Sequence, residues 1–183
     1  MRWVMIEKLK EYRFILVPLA LGIILPSIAV PWVTIRLLGQ YPFTPIDIIV
    51  SVISKAAGNV SQNQYDLLNL LAVYPDSYFA LIFSMIIYIG SITMMGLSIA
   101  MKNISKFILI AGILAMSAGI LWIYMIESFK INFVQTAVSA GGIIGEEWKG
   151  QENIIASSII IMGLGHYIVI LAGVVAILAY LWR

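Results

Sequence analysis

One histidine, one membrane-edge carboxylate and no cysteine bound the chemistry this chain can do. His166 stands in Gly163-Leu164-Gly165-His166-Tyr167, inside an apolar stretch. An ionisable group in such a stretch is a candidate proton relay, quinone contact or haem ligand, with Tyr167 beside it. Bis-histidine haem needs a second histidine, and a zinc site needs more partners than His166 can recruit. Glu127 and Lys130 flank another apolar stretch, where an acid reads as an interface marker or a cation site. Without cysteine there is no disulfide, thiol nucleophile, thiolate metal site or cysteine-linked haem. No phosphate loop, nucleophile–base pair or pair of catalytic carboxylates is found. The chain is therefore expected to be non-enzymatic, with no cofactor and no metal.

The elements that would carry these groups are apolar. The chain has 183 residues, 62% of them hydrophobic and 11% charged, with a mean hydropathy of +1.01. A soluble domain carries about 25% charged residues. Four apolar stretches, about 14–31, 78–100, 107–126 and 157–182, are each near the roughly 20 helical residues that cross the hydrocarbon core. The expected fold is all-α: one integral membrane domain, a four-helix bundle with a helical extracytoplasmic cap. The first stretch is read as a retained span rather than a cleaved leader.

Charge sets the expected orientation. Arg2, Lys8, Lys10, Arg13, Lys102, Lys106 and Arg183 surround the first span, the tight second connection and the C-terminus, with only Glu7 and Glu11 among them. The other two connections hold Arg36, Lys55, Lys130 and Lys149 against seven acids. Basic residues stay on the cytoplasmic side, so both termini are expected there, in a multi-pass protein of the cell membrane. Residues 1–13 read either as an amphipathic helix on that face or as a frayed basic anchor. The partners implied are the bilayer and copies of the chain or other membrane subunits; nothing points to nucleic acid.

Outer loops are expected at 32–76 and 127–156. Pro31 closes the first span, and Trp32 follows where an aromatic belt residue belongs. Thr44-Pro45-Ile46-Asp47 has the form of a helix start: a capping threonine, proline at the first turn and an acid three residues on. Ile46, Ile49, Val50, Ile53 and Ala57 then recur at helical spacing, and Gly58 ends the run. The stripe predicts a helix over 45–57 held against the outer membrane face or the bundle. A second short helix is predicted over 65–74. Phe43, Ile48, Val52, Leu71 and Trp148 are candidates for an interface core, where large apolar and aromatic side chains dominate. Ala111, Ala115 and Gly119 in the third span, and Gly165, Ala172 and Ala176 in the fourth, form small faces that let helix backbones approach. Asn59-Val60-Ser61 fits the glycosylation triplet on the outer side. Rich Ile content with no Cys and few Gln fits a hot habitat.

The layout resembles the claudin-like four-span families: claudins, peripheral myelin proteins and calcium-channel gamma subunits. Pro31-Trp32 is similar to their proline–tryptophan entry to the first outer loop. Asp66-Leu67-Leu68-Asn69-Leu70 is similar to the segment leading that loop back to the membrane. The family's first loop carries a Gly-Leu-Trp motif and two disulfide-forming cysteines on a small sheet, whereas this loop has no cysteine and reads as helices. The resemblance implies lateral assembly through outer loops. Two functions follow as expectations: a structural, adhesion-type or accessory membrane subunit, or a small quinone-interacting subunit of a redox complex using His166 and Tyr167. A pore would need polar residues from several protomers.

Overall fold

A computed structural model describes residues 15–36, 40–56, 73–100, 105–140 and 151–181. The predicted amphipathic segment 1–13, residues 65–72 of the helix predicted over 65–74, Asn59, Leu71 and Trp148 lie outside the described residues. The chain is mostly helical, in the order α1 (Ile15–Ile28), β1 (Val33–Ile35), β2 (Tyr41–Phe43), α2 (Pro45–Ala56), α3 (Pro75–Ala100), α4 (Ser105–Ala140), α5 (Glu152–Ile159), β3 (Ile160–Met162) and α6 (Gly165–Leu181). By length and composition, α3 and α4 are able to cross a membrane, while α1, α2 and α6 are shorter apolar helices.

Contacts divide the chain into two units. The first comprises Met1–Ile28, Phe83–Leu121 and Gly165–Arg183. Here α1 tightens to a 3₁₀ turn over Leu25–Ile28. Pro26 lies in that turn, where its missing N–H and its ring stop a regular α-helix from continuing. The turn packs on α6. Ser27 Oγ lies 2.7 Å from Tyr88 Oη, tying α1 to α3. Ser84, Tyr88, Ser91 and Met95 of α3, buried in this unit together with Met85, recur every three or four residues and form one stripe. Helices α4 and α6 meet backbone to backbone. A Cβ added at Gly112 would stand 2.9 Å from the Gly173 carbonyl oxygen, and one at Gly173 would stand 2.8 Å from that of Gly112. Seven residues along α4 and seven back along α6, a Cβ at Gly119 would stand 3.0 Å from His166 O. Two matched contacts at this spacing define a close antiparallel pair.

The second unit comprises Ala29–Ile82 and Trp122–Leu164. It holds a three-stranded antiparallel sheet in the order β2-β1-β3, which corrects the all-α expectation. Val33 pairs with Phe43 on one side and with Met162 on the other. Each strand is three residues long and sits in apolar sequence, so no alternation announces it. Arg36 N–H donates to Ile159 O at 2.7 Å, and Gly163 N–H to Trp32 O at 2.9 Å, extending the β1–β3 ladder at both ends. Thr34 therefore turns its backbone groups toward β3. Pro42, opposite Thr34 on β2, faces its missing N–H outward, where it removes a donor from the open edge.

Two further boundaries differ from the sequence reading. Helix α4 continues through Glu127 to Ala140 instead of ending near 126. Phe129 and Val134 are buried beyond that point, and no glycine or proline interrupts the helix before Gly141. The fourth apolar stretch is not one helix: α5 and β3 occupy its start, and α6 begins only at Gly165. Gly163 is required at that junction, because a Cβ there would overlap the Pro31 carbonyl oxygen.

Candidate functional site

Trp32 is the hub of the second unit. It is fully buried rather than set in an aromatic belt. Its N–H donates to Phe43 O at 2.9 Å, and its carbonyl accepts from Gly163 N–H at 2.9 Å. That carbonyl also accepts Trp122 Nε1–H at 3.4 Å. The two indoles meet edge to face, with centroids 4.9 Å apart, a geometry that adds to the burial of two large rings. One residue thus links β2, β3 and α4. Sequence reading missed this role because Trp32, Trp122 and Gly163 are far apart along the chain.

Helix α2 begins as its sequence demands. Thr44 N–H and Oγ1–H donate to Asp47 Oδ2 at 2.8 and 2.7 Å, and Asp47 N–H donates to Thr44 Oγ1 at 3.3 Å. The two residues satisfy each other's groups at the helix N-terminus. Of the proposed interface core, Ile48 is buried at 1% exposure. So buried, it is not available to another chain. Val52 and Phe43 are half-buried. The outward face of α2 is instead Ile46, Val50 and Ile53, exposed by 46%, 55% and 62%. Ile49 is half-buried beside them.

The small residues of α4 and α6 lie inside the first unit. Ala111, Ala115, Ala172 and Ala176 are buried aliphatic positions, and Gly119 and Gly165 are buried as well. Gly112 and Gly173, which make the tightest reciprocal approach, escaped the sequence reading because a one-helix pattern does not say which small residue faces which partner.

His166 is fully buried in the first turn of α6. Neither Nδ1 nor Nε2 has a hydrogen-bond partner among the described residues. Its ring lies 3.9 Å from that of Tyr167, tilted by 44°, and Tyr167 itself is exposed. Buried imidazoles are ordinarily partnered, so His166 stands out as the polar side chain of this unit with hydrogen-bonding capacity left over. Ser27 and Tyr88, by contrast, bond each other, and Ser91 Oγ donates to Tyr88 O at 2.7 Å. Glu127 and Lys130 form an ion pair at 3.0 Å one helical turn apart, with Lys130 almost buried and Glu127 half-exposed. No group of three or more His, Asp or Glu among the described residues is placed to hold a metal ion.

Hydrogen bonds from Ser27, Tyr88 and Trp122 side chains tie elements together within each unit. No protein-family model, curated protein or solved structure matches the chain.

Proposed function

We propose that the chain is a multi-pass protein of the cell membrane, a four-span bundle with an extracytoplasmic cap and cytoplasmic termini. In this reading it is non-enzymatic and serves as a structural, adhesion-type or accessory subunit that assembles laterally or through its outer segments. The observation that carries it is the inverted surface of the first unit. Ile15, Leu19, Phe83, Ile86, Ile113 and Leu171 are among its exposed side chains, while Ser27, Ser84, Ser91 and His166 are buried. Lys106 is the only charged residue among those described in that unit.

Length agrees with composition. At about 1.5 Å per residue, the helical segments of the first unit run roughly 21–27 Å, close to the ~30 Å hydrocarbon core. Only 33% and 39% of the apolar windows in α3 and α4 are buried, where the core helix of a soluble protein would be mostly covered. The sheet supports the claudin-like resemblance, which implies a small sheet on the first outer loop; β1 and β2 come from that loop and β3 from the start of the fourth apolar stretch. With no cysteine in the chain, the Trp32–Trp122–Gly163 junction does the fastening that a disulfide does in that family. Native mass spectrometry from mild detergent tests the assembly reading. It predicts species heavier than one 20.3 kDa chain, or a stoichiometric co-purifying subunit. A strict monomer without partner, in detergent and in membranes, overturns it.

A second reading rests on His166, whose free hydrogen-bonding capacity suits a quinone carbonyl in an accessory subunit of a redox complex. Solvent extraction of purified protein decides it: quinone retained by the natural chain and lost in His166→Leu would favour this reading.

A further inference from the structure

Hydrogen bonding fixes where α2 begins relative to Trp32. The hairpin β1–β2 leaves Trp32 and returns to it, since Val33 pairs with Phe43 and Trp32 N–H reaches Phe43 O. Pro45, the first residue of α2, is therefore held beside Trp32. Trp32 follows the last residue of α1 by four positions, at most about 14 Å of extended chain. The Trp32 carbonyl also holds Gly163, two residues before α6 starts. Along the chain, Trp32 is thus tied by four residues to the last residue of α1 and, through Gly163, by two residues to the first of α6.

Helix α2 carries two faces. Ile48 is buried. Ile46, Val50 and Ile53 fall within about a 60° arc at 100° per residue and face outward on the other side. Asp47 is exposed on the flank. Three half-exposed aliphatic side chains fall well short of the ~800 Å² per partner of a stable protein interface, and they include no aromatic or arginine anchor. A lipid surface sets no such threshold, and short chain segments tether α2 to the apolar helices. We propose that α2 is an interfacial helix, lying on the outer leaflet with Ile46, Val50 and Ile53 in the acyl boundary and Asp47 in the head-group water. The inference rests on the membrane reading above.

The absence of cysteine makes the test direct. Single-cysteine variants at Asp47, Val50, Ile53 and Ile89 are spin-labelled and reconstituted into phosphatidylcholine vesicles. Collisions with oxygen report on the acyl region, and collisions with a nickel chelate report on water. The expected result is an oxygen-to-chelate ratio at 50 and 53 approaching that at 89 and well above that at 47, independent of the protein-to-lipid ratio. A water-like ratio at 50 and 53 with an acyl-like ratio at 89 overturns this inference alone. Water-like ratios at all four positions overturn the membrane reading itself. Protection at 50 and 53 that disappears on dilution with lipid assigns the face to a second copy and likewise overturns the proposal. Val50→Asp in the Ile53 label background adds a check, since it should return the ratio at 53 toward the value at 47.

Discussion

The two units of this chain differ in the charge they expose: Lys106 alone among the described residues of the first, and Arg36, Asp47, Asp76 and Glu127 beside apolar side chains in the second. In the first, aliphatic side chains point outward and hydroxyls and an imidazole point inward. In the second, Trp32, Trp122 and Phe129 are buried, while Arg36, Asp47, Asp76 and Glu127 are exposed. Water drives apolar groups inward, whereas lipid offers helices no such drive. Helices in lipid associate by close packing and polar contacts. The Gly112–Gly173 and Gly119–His166 approaches in one unit, and the indole pair in the other, are the corresponding two kinds of cohesion. Helices α3 and α4 contribute to both units without a break. The boundary therefore lies within continuous helices and is marked by what they expose.

The strongest way to break the second kind of cohesion is Gly163→Ala. The added methyl meets backbone, which cannot swing aside as a side chain can. A loss of about 4 kcal/mol or more is expected, at the exceptional end for a single substitution, together with loss of the β1–β3 ladder. Hydrogen exchange at Gly163 and Arg36 checks it; unchanged protection would show that the junction is not fastened there.

A matched pair of surface substitutions sharpens the contrast itself. Ile113 and Ile154 are both exposed, one in each unit. A charge at the centre of a membrane helix costs roughly 2.5–3.5 kcal/mol, whereas a change on a water-exposed surface stays within about 0.5 kcal/mol. Ile113→Asp should lower insertion and yield, and Ile154→Asp should leave both unchanged. Equal effects in membranes would erase the distinction between the units.

Gly112→Val probes packing within the first unit. Overpacking against the Gly173 carbonyl is expected to cost about 1–3 kcal/mol, read as a lower melting temperature in detergent. The smallest effect belongs to Thr44→Ala. Removing the cap of α2 should cost about 1 kcal/mol and fray the first turn, seen as faster amide exchange at Asp47.

Much of this contrast was legible along the chain, and the rest depended on distance. The cap at Thr44–Asp47 is local, so four consecutive residues announce α2. The apolar helices declare themselves by length. Strand β1 pairs at once with residues 41–43 and with residues 160–162, and three β-branched residues in a row carry no mark of partners so far away. Pro42 obscured β2, because proline enters a sheet only where its missing N–H faces outward. The start of the fourth apolar stretch was absorbed into a span because strand and helix are equally apolar there; only Gly163 and Gly165 divide them. Trp32 read as a belt residue since position after a span is a local cue, while burial is decided by Trp122 and Gly163. His166 was visible as a candidate, but its lack of partners is a property of packing.

The central claim is that the exposed aliphatic side chains of the first unit lie in lipid, whereas Asp76 and Ile154 of the second lie in water. Thiol labelling in intact membranes tests it most directly, with single cysteines at Ile89, Ile113 and Leu171 for the first unit and at Asp76 and Ile154 for the second. The account predicts that a membrane-impermeant maleimide added outside labels positions 76 and 154, and leaves 89, 113 and 171 unmodified until the protein is denatured. Labelling of 89, 113 and 171 at the rate of 76 and 154 would contradict it.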